Sequence, residues 1–296
     1  GAVRRVTRSF AAALLVAACA GPRAAAPAGA PQPTPVPLPA PIPPAHAPAT
    51  APGVLYGPSA LRYVMHQRLH LEQDYGMGMQ AQDLGYRVFV SATINGPADT
   101  VGYPATLSID SLVLDSGVVL PPPLSPDAAR GLAYRGRLSA RGEFRHPVPS
   151  DSARARLVGQ LLGAFRNFYP RLPAAGAAPG ASWTDTSVTT DTTTAGIVTT
   201  RGATQSTASS YLPHGGTQSL EIHISSTMAV TGGGEANGQR FTVDGQSTQA
   251  GVAYVAADGR YLGAEVADST DLTFAFLMGG RAPVRRVAHI TIQVLP

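Results

Sequence analysis

Lysine is missing altogether, because all 22 basic residues of the 296-residue chain are arginine. Every chemistry that needs an ε-amino group is thereby excluded, including Schiff bases, the phosphate-loop lysine and serine–lysine dyads. Cysteine occurs once, at Cys19, so neither an intrachain disulfide nor a cysteine-rich metal site can form. No apolar run approaches the roughly 20 residues that a membrane-spanning helix needs. Also missing are a G-x-S-x-G elbow, an H-E-x-x-H pair and the three spaced glycines of a dinucleotide loop; Gly232–Gly234 and Gly76–Met79 are turn material. The sequence therefore assigns no catalytic residue, no cofactor and no metal.

What is present begins at the N-terminus. Arg4, Arg5 and Arg8 precede a short apolar core, Phe10–Ala18, and small residues lead up to Cys19, the layout of a secretory signal. The tetrad Val16-Ala17-Ala18-Cys19, behind two leucines, resembles the bacterial lipobox. That resemblance implies cleavage after residue 18, lipid on the Cys19 sulfur and an acylated new N-terminus. Each buried CH₂ is worth about 0.8 kcal/mol, so two or three chains make a stable membrane foot where one would not. With Ala20 and not aspartate behind the cysteine, the expectation is an outer-membrane lipoprotein facing the periplasm or the cell surface. Once the three signal arginines are removed, nineteen basic residues face eighteen acidic ones, and a formal charge of about +1 offers nucleic acid no basic surface.

Residues 19–53 form a linker, and twelve of the 27 prolines fall between positions 20 and 53, one at every second position from Pro31 to Pro43. Such a segment is extended and semi-rigid, and at about 3.1 Å per residue it spans on the order of 100 Å. Beyond it the dominant period is two. In LRYVMHQRLHLE, Leu61, Tyr63, Met65, Leu69 and Leu71 share one face, while Arg62, His66, Arg68, His70 and Glu72 share the other. Strands are expected at 86–94, 105–117 and 132–144 in a first meander, and at 183–194, 196–211, 219–230, 239–248, 250–256, 261–268, 271–278 and 284–295 in a second. Asp258-Gly259 is the strongest hairpin signal.

Between the two series, Leu157, Leu161, Phe165 and Phe168 follow helical spacing, with Ser150 as N-cap and Pro170 as stop. The expected fold is mainly β, a β-rich domain over 54–296 with possible halves at 54–149 and 180–296 around one packed helix (about 150–168). Two architectures stay open, one strongly curved antiparallel sheet or two sheets.

Three groups of side chains are candidates for binding. Leu157, Leu161, Phe165 and Phe168 are placed to line an apolar ligand cavity or to fill the core. Arg135, Arg137 and Arg141, taken to share one strand face, offer an anion site. His66, His70 and Glu72 have ligand chemistry, but strand residues four apart lie about 13 Å from each other, too far to share an ion.

PRLPAAGAAPGASWTDT, with proline, then glycine, then Trp183, and GQRFTVDGQSTQAGVAYVAADGRYLGAEV further on, resemble a family of bacterial secreted and lipidated proteins that carries a domain-of-unknown-function label. The likeness covers about Leu132–Val266 and implies a helix leading into a second strand series, with no catalytic residues to transfer. In architecture alone, signal, tether, helix and curved sheet are similar to the half-barrels that carry lipidated cargo. Together these features point to a non-enzymatic, membrane-anchored binding or scaffold domain, its partner a lipid or an envelope protein. A structural cell-envelope protein and a hydrolase of envelope sugar or peptide are the alternatives.

Overall fold

The computed structural model describes residues 53–74, 78–120, 124–162, 165, 167–192, 196–236, 238–277 and 279–296. The expected signal, Cys19 and nearly all of the linker lie outside the described residues.

Among those residues the chain forms eleven strands and two helices. The first series is β1 (Ser59–Asp74), β2 (Met79–Ile94), β3 (Tyr103–Leu114), β4 (Ala133–Leu138) and β5 (Phe144–Pro149). The second is β6 (Ser182–Thr192), β7 (Gly196–His214), β8 (Thr217–Ala236), β9 (Gln239–Ala256), β10 (Tyr261–Phe276) and β11 (Arg281–Val294). A four-residue helix, α1 (Pro126–Ala129), precedes β4, and the principal helix, α2 (Ser152–Leu162), separates the two series. All strands belong to one antiparallel sheet in the order β5-β4-β3-β2-β1-β11-β10-β9-β8-β7-β6. The two meanders are fused by β1 and β11, paired from Tyr63 opposite Val294 to Gln73 opposite Val284. The fold is thus mainly β, and of the two architectures it is the single sheet. That sheet does not close, so β5 and β6 are its edges.

Alternation builds the two faces. Odd residues of β1 from Tyr63 to Gln73 are buried, and the register carries this face onto Ala288 and Ile292 of β11 and Val88 and Val90 of β2. One apolar cluster draws on both meanders at once, joining Val88 and Ile109 to Ile222 and Val255. That requires the sheet to curl around a common interior. Register shifts at Phe89/Val90, Ala208/Tyr211 and Tyr261/Gly263 supply bends of the kind that β-bulges add. Gly245 and Gly251 let the bend tighten, since a Cβ there would lie 2.1 Å and 2.4 Å from the carbonyl oxygens of Asp271 and Glu265 on β10.

Several boundaries differ from the sequence reading. The expected strand 132–144 is two strands, because Ser139 and Gly142 close a turn in which the Gly142 N–H donates to the Ser139 carbonyl and Gly142 takes a φ of 91°. Conversely, β9 and β10 each run unbroken through 249–250 and 269–270. Thr270, in the second of these gaps, points into the interior and donates to Ser247. The α2 helix starts under Asp151, whose carboxylate accepts from the N–H groups of Ala153 and Arg154, while Ser150 instead accepts from the Ala133 N–H. It ends at Leu162 and not near 168, with Phe165 in a left-handed conformation (φ 54°) that turns the chain toward the core. Arg154 fastens α2 to the end of α1 by donating to the carbonyls of Ala128 and Arg130.

Candidate functional site

The residues expected around a ligand are packed against one another. Phe165 and Phe168 are buried, Leu157 lies half-buried against the same cluster, and the Leu161 side chain lies outside the described residues. Phe168 meets the rings of Tyr63, Phe165, Tyr169 and Tyr261 at centroid distances of 5.1, 5.8, 5.2 and 5.7 Å, mostly edge to face. Tyr63 donates to the Tyr261 carbonyl at 3.0 Å, and Tyr56 donates to the Pro170 carbonyl at the same distance. Burial drives the hydroxyls of Tyr56, Tyr63 and Tyr261 well above the ordinary tyrosine range, so they stay protonated and cannot serve as bases. The segment after α2 thus plugs one end of the concave face with aromatic rings.

The three arginines do not share a strand face. Arg135 and Arg137 lie on β4 beside His146 and Val148, around an open depression of about 420 Å³. Arg141 falls past the end of β4 in the turn, where it donates to the Leu172 carbonyl and meets Asp185 of β6 at 3.3 Å. Arg137 is neutralised by Asp99 at 2.8 Å. The Asp99 carboxyl is held below its ordinary value first by the N–H groups of Val101 and Gly102, with Arg137 adding to the effect. Arg135 alone of the three makes no ion pair among the described residues.

On the convex face the histidines of β1 go to separate carboxylates. His66 Nε2 lies 3.1 Å from Asp115, and His70 Nδ1 lies 2.8 Å from Asp83, with Glu72 at 3.5 Å on its other nitrogen. These are surface pairs across strands. Among the described residues no three histidine or acidic groups are placed to hold a metal ion, and no helix is long and apolar enough to cross a membrane.

A second polar group lies on the convex face of β7 and β8. Ser209 donates to Glu221 at 3.1 Å, and His223 meets the same oxygen at 2.9 Å. The carboxylate stands between the hydroxyl and the imidazole, so the three are not in the serine–histidine–acid order of a catalytic triad. An open depression of about 500 Å³ beside it is lined by Gln205, Thr207, His223, Ser225 and Val252.

The most buried charges are not among the residues expected to form a site. Arg286 of β11 and Asp268 of β10 both face the interior, their side chains 6% and 7% exposed, and are joined by a bond of 2.6 Å. Ser247 donates to the other Asp268 oxygen at 3.4 Å, and Thr270 donates to Ser247 at 2.7 Å. Burial raises the Asp268 carboxyl above its ordinary value, and Arg286 pulls against that rise. The Arg286 Nε is buried without a partner. The signal available was Asp268, Thr270 and Arg286 falling at even positions where their strands otherwise place apolar residues. Apolar residues flank the group on both sides, Ala288 and Ala264 on one and Val284 and Leu272 on the other.

Scans against protein-family models and curated proteins found no match to this chain.

Proposed function

We propose that the chain is a membrane-anchored extracytoplasmic scaffold or binding domain, held by lipid on Cys19 and lifted by its proline-rich linker, that works through its surface and without catalysis. One observation carries the choice of surface over interior: the place expected to receive an apolar ligand is occupied by Phe165, Phe168 and their tyrosine neighbours. Absence of catalysis is supported by the order Ser209–Glu221–His223 and by interior tyrosines locked in their protonated form. The partner class that suits this reading is another component of the cell envelope.

Two measurements on the full chain, purified from bacterial membranes, test the proposal. Intact-mass analysis is expected to find the N-terminus at Cys19 carrying acyl mass, and an unmodified N-terminus would remove the anchor. Native mass spectrometry with organic extraction is expected to find no lipid beyond the acyl mass on Cys19. A stoichiometric hydrophobe bound to residues 54–296 would overturn the surface reading in favour of a carrier.

A further inference from the structure

The two edges of the sheet are built differently. At β5 the edge has six residues, two of them prolines (Pro147 and Pro149), with His146 at a φ of 50° and Arg145 exposed. Proline, irregular backbone and charge are the devices by which sheets refuse further strands. At β6 there is neither proline nor irregular backbone, and its charges are two aspartates, Asp185 and Asp191. Its eleven residues, SWTDTSVTTDT, contain no proline and no basic side chain, and pair with β7 residue for residue without a register shift. Among the described residues its outer side makes no backbone hydrogen bond to any other segment. Val188, 61% exposed, stands at mid-strand on the convex face between Thr186 and Thr190.

We infer that β6 pairs antiparallel with β6 of a second copy of this chain, about a two-fold axis through Ser187. The argument is one of register. An isologous antiparallel pair must have a two-fold centre, and both strands keep their convex faces on one side only if that centre is a residue. Centred on Ser187, all eleven residues pair. Thr184 then faces Thr190, Thr186 faces Val188 on both sides of the axis, and Asp185 faces Thr189. These are threonine and β-branched pairs of the kind that stabilise sheets. Centred on Val188 or on Thr186, fewer residues pair. Trp183 and Asp185 do not obstruct the approach, since they turn to the concave side and are held by the Arg171 carbonyl and Arg141. The inference concerns the edge alone and does not depend on the anchor or on the proposed function.

A single strand edge buries little area, so the dimer is expected to be weak and concentration-dependent. The test uses the full chain with Cys19→Ser, so that an introduced cysteine is the only thiol. Residues directly opposite in an antiparallel pair have Cα atoms about 4.5–5.5 Å apart, within disulfide range. Under mild oxidation the Ser187→Cys chain is expected to form a covalent dimer. Thr184→Cys alone is not, because its two copies would lie about 20 Å apart. A mixture of Thr184→Cys and Thr190→Cys chains is expected to cross-link as a heterodimer. Thr186→Lys, a surface change, is expected to leave the fold intact and shift the uncross-linked chain to monomer in light scattering. A monomer at every concentration tested overturns the inference, as does cross-linking of Thr184→Cys alone as fast as Ser187→Cys.

Discussion

The concave face is filled in two different ways at its two ends. At one, the chain between α2 and β6 brings in Phe165, Phe168, Tyr169 and Leu172, which pack with residues of both meanders. At the other, no segment among the described residues is brought in. Leu71, Val230, Phe241, Val243, Leu272, Phe274, Ala282 and Val284 of the sheet itself form a separate cluster, and Arg286 and Asp268 lie between the two. A borrowed plug tolerates a wide sheet, because large rings span the gap. A sheet that fills itself must bend tightly, and the near contact at Gly245 lies opposite Leu272 of that cluster. The difference predicts that the plugged end depends on ring volume and the self-filled end on charge pairing.

Removing a ring should give the largest effect. Phe168→Ala takes away contacts to four aromatic neighbours at a site 6% exposed. It is expected to cost about 4 kcal/mol in urea unfolding, within the range for buried phenylalanine truncations. A cost under about 1 kcal/mol would mean that the plug is not part of the cooperative core.

At the other end, Asp268→Asn should cost about 3 kcal/mol, the lower end for a broken buried pair, because the guanidinium cannot shed its charge while the new amide oxygen still accepts from it. Arg286→Met should cost less, about 2 kcal/mol, since the abandoned carboxyl can take up a proton. The sign follows from the direction of the shift. Asp268 already titrates above its ordinary value in the folded protein, so ionising it opposes folding, and without Arg286 it titrates higher still. The Arg286→Met deficit should therefore shrink as pH falls below the folded value and grow as pH rises through it. A pH-independent deficit would show that the loss is one of packing. The double change Asp268→Leu with Arg286→Met should return close to the parent, as buried pairs replaced by apolar groups commonly do.

The same contrast explains what could be read in advance. Strict alternation in β1 and the Asp258-Gly259 turn determined strands, faces and hairpin order from local residues. The joining of β1 to β11 could not be read, because both strands alternate equally well against other partners. The pairing of Asp268 with Arg286 could not be read either: their inward positions follow from alternation, but only the register across β9, β10 and β11 brings Asp268, Ser247 and Thr270 to Arg286. The helical spacing of Leu157 and Leu161 carried past Leu162 to Phe165 and Phe168, whose apolar character was legible, but whose rings reach the core through a left-handed turn and not along a helix.

The smallest effect belongs to the convex face, where charge pairs stand in water. His70 is held above its ordinary value first by its bond to Asp83 and then by Glu72. For a base raised on folding, the pair's stabilisation is complete below the unfolded value, about 6.5, and fades as pH rises through the folded one. Asp83 is 85% exposed, so added salt should screen most of that contribution. An NMR titration is expected to place His70 above an unperturbed histidine and to bring it down in Asp83→Asn, with global unfolding scarcely changed. Set beside Arg286→Met, this separates the two surfaces of one sheet. The same kind of charge pair governs stability where the interior must close on itself, and only its own titration where water already satisfies it. A large drop in stability for Asp83→Asn would erase that distinction.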